Sequence, residues 1–435
     1  MQAFKNTFTF GRKGRIDMWT YIKKDEVKVS ILLVFFLIFT NTPYALRQIS
    51  VIRGLFVVVR FLGTGVVTLI CFYKTRKCNR FDIGTLLFCL IIFISAFHAG
   101  LSPDIAVNST FSYLHIAYSY VVFIVGQLFI IKIAFSSQEE ICLVMMKTIY
   151  GYYLVLSLIN LATQILGLEI VAKGGNTFFL GLDNNVGKYY LFAFFYACVV
   201  MVLEEKDFSW NLFLVAALTA FGGAYRKIGV LSAIGFLMAG LVLLFFLVPK
   251  LKIWNIRQDI FLGSLIGIYM LVMGMYTKLD GLQTFINHYL FGKANALADR
   301  FALQRHFLSK WPESPFWGWA SILSQEKWGE TSWFDYALRG GHTHNYLIET
   351  LYNFGIFAFL LFIILLLMGI RKISGYRTAV SFIGVAFLLV LLRGMFENSC
   401  QDIFAVLPTV YYLGGWCDKK YRFTGDNVKW QEILN

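Results

Sequence analysis

Two histidines and a repeating polar pattern mark the stretch of the chain best suited to chemistry. His342 and His344 lie in Arg339-Gly-Gly-His-Thr-His-Asn-Tyr, and Asn345, Glu349 and Asn353 follow at intervals of four. That interval places the three on one face of a helix beginning near Tyr346. His344 then sits at the helix entrance, where unpaired N–H groups and the positive dipole end favour anions and a neutral imidazole. A neutral imidazole there is suited to act as a general base, with Glu349 as an orienting group or alternate base. A polar stripe is costly against lipid, so it is expected to face protein or water. The plainer alternative is a loop capped by Asn345, with His344 an ordinary interfacial residue. His342-x-His344 has chelating spacing, but no clustered carboxylates or thiolates complete a site, so no metal and no other cofactor is expected. A second feature is cationic: Gly222-Gly223-Ala224-Tyr225-Arg226-Lys227-Ile228-Gly229 holds two basic residues at a turn between apolar runs. They suit an anionic ligand, although snorkelling accounts for Lys227 equally well.

The elements that must position these residues are hydrophobic helices. Of the 435 residues 58% are hydrophobic and 15% charged, with a mean hydropathy of +0.65, which describes a polytopic membrane protein and not a soluble core. Apolar runs near 29–46, 54–73, 83–100, 113–134, 145–166, 186–203, 210–222, 228–248, 260–276, 346–369, 378–393 and 403–417 predict an all-α protein of about twelve transmembrane helices. The expected division is a basic N-terminus (1–28), helices one to nine (29–276), a long loop (277–343), helices ten to twelve (346–417) and a tail (418–435). The net charge of +14 arises from Lys and Arg gathered in alternate loops, so nucleic acid is not an expected partner. With the N-terminus cytoplasmic, 24 of the 39 basic residues fall on that side, and loop 101–112 opposite has none. Both termini are therefore expected inside, and loop 277–343 and His344 outside. The seven cysteines show no C-x-x-C pairing and are expected to be packing residues.

Within the long loop, Ala294 to Lys310 lacks Gly and Pro and predicts an amphipathic helix ending at Pro312, with Leu297, Phe301 and Leu308 on its apolar side. Arg300 and Arg305 belong to it. Ser314-Pro315-Phe316-Trp317-Gly318-Trp319 follows, and five of the ten tryptophans lie in this loop. Most are expected to anchor at an interface. Arg393, near Glu397 and Asp402, is expected in an internal ion pair.

His344-Asn345, then Gly355 and a small residue at Ala358, resembles the His-Asn…Gly-x-x-Gly signature of the bacterial O-antigen ligase and repeat-unit (Wzy-type) polymerase superfamily. An Arg-bearing loop helix leading to a Pro-hydrophobic-x-Gly turn, Arg300 to Gly318, is similar too, as is Arg226 near the mouth of helix seven. The resemblance runs from about Tyr225 to Gly355. It implies a membrane glycosyltransferase of type C in the cytoplasmic membrane, metal-independent, with its active site facing outward. The implied substrates are an undecaprenyl-pyrophosphate-linked oligosaccharide and an acceptor glycan or glycolipid. Implied partners are membrane lipids, a flippase and a chain-length regulator. The implied roles are His344, or Glu349, as base, with Arg226, Lys227, Arg300, Arg305 and Arg339 holding the diphosphate. Asn345, His342 and Gly355 are supporting residues. Ala358, where the ligase pattern has Gly, Thr or Tyr, favours the polymerase branch. A transporter is the rival from another class, and the absence of an internal sequence repeat weighs against it.

Overall fold

The computed structural model describes residues 28, 30–40, 43–48, 50–75, 77–102, 110–168, 177–206, 209–225, 229–247, 258–275, 284, 296–323, 342–373, 379–395 and 400–423. Its helices are α1 (Ser30–Thr40), α2 (Tyr44–Gln48), α3 (Ser50–Lys74), α4 (Arg80–Leu101), α5 (Thr110–Ser136), α6 (Glu139–Ile165), α7 (Asp183–Leu203), α8 (Trp210–Tyr225), α9 (Gly229–Leu247) and α10 (Gln258–Met275). Then come α11 (Ala296–Lys310), α12 (Tyr346–Ile373), α13 (Ala379–Gly394), the short α14 (Cys400–Ile403) and α15 (Leu407–Phe423). A two-stranded hairpin, Thr177–Phe178 with Gly181–Leu182, precedes α7. Among the described residues ten of the twelve expected apolar runs fall on one helix each, whereas run 29–46 is divided between α1 and α2 and run 403–417 between α14 and α15. Among the described residues five helical segments are long and apolar enough to cross a membrane: Arg80–Leu101, Thr110–Ser136, Glu139–Ile165, Val186–Leu203 and Tyr346–Ile373.

Burial divides the helices by role. Leu62, Leu69, Phe111, Trp210 and Phe236 are exposed, an apolar exterior that water would disfavour and lipid would not. In contrast, 89% of the span Val186–Leu203 is buried, so α7 is the central post, packed against α6, α8 and α13. Six of the seven cysteines are buried and Cys78 is partly so; all are free thiols, as packing residues would be.

One end of the bundle is closed by a polar knot. Asn79 caps α4 by accepting from the Asp82 amide (3.0 Å), and Asp82 accepts from the Asn79 amide (2.9 Å). Lys132 of α5 donates to Asp82 Oδ2 (2.6 Å) and to the carbonyls of Lys77 (2.5 Å) and Thr75 (3.3 Å). Tyr412 of α15 donates to Asp82 Oδ1. Around this knot lie Lys147–Glu204, Lys206–Glu204, Lys372–Asp418 and Lys420–Glu139. Glu204 of the acidic loop 204–209 is thus matched by two lysines.

The opposite end positions the site. There α12 is broken at Gly355, whose φ of 78° is open to glycine and unfavourable for other residues. A break strands backbone groups, and the loop after α11 satisfies them. Trp319 N–H donates to Tyr352 O (2.9 Å), Ala320 N–H to Asn353 O (2.9 Å), and Ile356 N–H to Pro315 O (2.9 Å). The loop fits because Gly318 (φ 71°) lies against the Asn353–Phe354 peptide. A methyl there would meet that peptide, and one at Gly355 would meet the Phe316 carbonyl. The Ser314–Ala320 turn is therefore a plug in the helix, and its two glycines allow the close approach.

Candidate functional site

The site forms where α11 meets the start of α12. Asn345 is the N-cap: its Oδ1 accepts from the amides of Leu347 (2.9 Å) and Ile348 (3.2 Å). His344, just outside the helix, has φ 53°, a left-handed conformation costing a β-carbon-bearing residue about 1–2 kcal/mol. The Thr343 hydroxyl spans it, donating to Asn345 O (2.8 Å) and accepting from Asn345 N–H (3.2 Å). That clasp holds His344 partly exposed on the rim while Thr343 and Asn345 are buried.

The rest of the expected stripe is buried as well, each member with a partner. Asn353 Oδ1 accepts from Ile322 N–H (3.0 Å), fixing the 3₁₀ turn Ser321–Leu323. Glu349 Oε1 accepts from Cys400 N–H (3.1 Å), so its carboxyl secures the start of α14. The face of α11 turned inward carries Arg300, Leu303, Gln304 and Phe307 together with the expected Phe301, whereas Leu308 is only partly buried. Gln304 donates from Nε2 to Thr343 O (3.3 Å), and its Oε1 accepts from the Tyr269 hydroxyl of α10 (2.6 Å). The same hydroxyl lies 3.0 Å from Met395 O at the end of α13. Arg300, one turn before Gln304 on this face, is 6% exposed.

Three helices thus converge on the His344 loop through a glutamine and a tyrosine that periodicity alone does not single out. Arg305 is partly exposed. Arg226, Lys227 and Arg339 lie outside the described residues. His342 is partly buried; desolvation, with the His344 charge beside it, holds its imidazole down at about 4. It therefore stays neutral near pH 7. Two tryptophan ring N–H groups close the loop on itself: Trp311 donates to Pro315 O (3.3 Å) and Trp319 to Lys310 O (3.2 Å). Trp328 and Trp333 lie outside the described residues.

A charge pair absent from the sequence reading completes this end. Asp402 of α14 pairs with Lys188 of α7 at 2.8 Å. Arg393 is itself buried, and Glu397 lies outside the described residues. The available signal for Lys188 was its being the one cation in a helix that is mostly apolar after its first turn. Lys188 and Asp402 lie within electrostatic range of Glu349. Among the described residues no group of three or more His, Cys, Asp or Glu side chains gathers as metal ligands would. The arrangement offers a partly exposed imidazole on a fixed backbone, an inward-facing guanidinium one helix away, and a second cationic centre behind them. No protein-family model matches the chain, and no curated protein or solved structure matches it either.

Proposed function

We propose that the protein is a membrane glycosyltransferase that moves a glycan from a polyprenyl-pyrophosphate carrier onto an acceptor hydroxyl, acting as a repeat-unit polymerase of bacterial surface polysaccharide. In this reading the fold is of the type C glycosyltransferase kind with about twelve spans. It sits in the cytoplasmic membrane with both termini inside and the His344 loop outside. The observation that carries the reading is the Gln304–Thr343 bond, which ties the Arg300 helix to the His344 loop. A base and a phosphate-binding guanidinium are thereby held on one framework.

His344 takes the acceptor hydroxyl proton as the acceptor oxygen bonds to the anomeric carbon. The bond from that carbon to the diphosphate breaks, and its electron pair leaves with the diphosphate. Arg300 balances that charge, with Arg226, Lys227, Arg305 and Arg339 as further contributors and His342, Asn345 and Gly355 as support. Glu349, bonded to Cys400 N–H, serves better as a positioning group than as the base.

Purified protein reconstituted with a lipid-pyrophosphate glycan is expected to lengthen the glycan on its carrier. The broken α12 favours one rival, a transporter, whose binding sites are often built from such helices. Glycan crossing the bilayer without any new linkage would establish that rival. Transfer to a finished lipid acceptor, with none to a second carrier-linked repeat, would identify a ligase instead.

A further inference from the structure

We propose that Lys188 is an oxyanion-binding subsite that substrate fills by displacing Asp402 from the lysine. The inference rests on the glycosyltransferase reading only for the origin of the anion. Its physical basis is the way the ammonium is occupied. An ammonium has three N–H donors. Lys132 in the closed knot uses all three, on Asp82, Lys77 O and Thr75 O, at 9% side-chain exposure. Lys188 has one hydrogen-bond acceptor among the described residues, Asp402 Oδ1 at 2.8 Å, and its side chain is 21% exposed. The Tyr189 ring also lies near it, 5.7 Å from Nζ to centroid. Asp402 is also accessible, at 14%.

The pair belongs to the His344 site by construction. The α14 turn that carries Asp402 begins at Cys400, whose N–H is held by Glu349 (3.1 Å). Arg393 lies within electrostatic range of Lys188, and its neighbour Gly394 is pressed on Tyr346, a methyl on Gly394 falling 2.6 Å from that ring. A lysine with one acceptor for three donors can take a further oxyanion oxygen, and a phosphate or carboxylate oxygen is the matching group to replace Asp402. Two sources carry such a group: the carrier's diphosphate, or an acidic sugar of the glycan.

The test titrates inorganic pyrophosphate and, separately, glucuronate into the reconstituted protein and its K188M, K188R and D402N variants. K188M should weaken binding about tenfold, the scale of one charge-assisted bond. D402N should tighten it, because the competing carboxylate is gone, and K188R should stay near the parent. The probe that responds identifies the source. If neither probe's affinity moves, or if K188M and D402N both weaken it, the pair is a structural strut and the proposal fails. Should K188M not fold, the sign of the D402N change decides alone. Neither probe needs glycan transfer, so a protein that binds as described but transfers nothing would overturn the glycosyltransferase reading and leave the subsite standing.

Discussion

Two lysine–aspartate pairs lie at opposite ends of this bundle, and they differ in closure. Lys132–Asp82 is shut: 9% and 0% exposed, with further partners in the 75–79 segment and on α15. Lys188–Asp402 is ajar, 21% and 14% exposed, and its lysine is sparsely bonded. The same two residue types thus serve stability where every donor is matched, and are available for chemistry where donors are left over. Around the first pair lie ordinary exposed ion pairs; around the second lie a strained histidine, a buried arginine and a broken helix.

The contrast predicts that substitutions at the open end alter rate and those at the shut end alter stability. The largest effect should come from His344→Ala: a loss of about 100- to 10,000-fold in single-turnover glycan transfer. Donor affinity and the unfolding midpoint should be little changed. His342→Ala should cost less, and Arg300→Ala should weaken donor binding as well as turnover. Parental transfer by His344→Ala would remove the base from the scheme and turn attention to Glu349.

Next in size is Lys132→Met, which strands a buried carboxylate and should cost about 3–5 kcal/mol in denaturant unfolding. Lys188→Met should cost less than half as much. Equal losses would erase the distinction between the pairs.

Gly355→Ala follows at about 2–3 kcal/mol, combining left-handed strain with a methyl driven onto the Phe316 carbonyl. The Gly318→Ala, Gly355→Ala double variant should fall short of additivity, because both glycines serve one contact. Thermal unfolding of the two single variants and the double checks this.

A pH effect should be confined to the open end. His342 is held at about 4 against an ordinary 6.5, so the unfolded chain binds the extra proton between those values. Its contribution to stability is complete above about 6.5 and is lost as pH falls toward 4. His342→Asn should flatten that part of the stability profile, and an unchanged slope would show that His342 is not the group responsible.

The smallest change belongs to Lys206→Ala. The Lys206 side chain is 57% exposed in its pair with Glu204, so an effect under about 1 kcal/mol is expected. Topology has its own check: reporters fused at Lys252 and at Lys327 should report opposite compartments, as the charge distribution requires.

Much of this architecture was legible in the chain because helix formation and burial leave periodic marks. The apolar runs gave the helices, and the four-residue interval gave the buried stripe of Asn345, Glu349 and Asn353. What periodicity could not give was partnership over distance. Asn353 caps a turn 31 residues away and Glu349 is bonded to an amide 51 residues away, whereas the local cap by Asn345 was already among the expectations. Gln304 and Tyr269 were invisible because each is an ordinary residue on its own helix, and only their meeting gives them a role. Lys188 left a mark, a lone cation in a mostly apolar helix, but its partner was beyond reach of local spacing. Gly318 and Gly355 were visible as motif letters, whereas their mutual fit depends on two segments touching.

The break at Gly355 also sets how α12 meets a bilayer. Unbroken, its 28 residues would measure about 42 Å, well over the roughly 30 Å of hydrocarbon. The part after the break, residues 356–373, measures about 27 Å and is by itself a near match to that thickness. With that part as the span, the nine helical residues before the break would form a short perch outside the hydrocarbon, held by the loop bonded at the break. Its polar residues would then need no lipid-embedded groove to shelter them, and the helix could keep a full-length anchor and a partly exposed histidine at its entrance without tilting to reconcile the two.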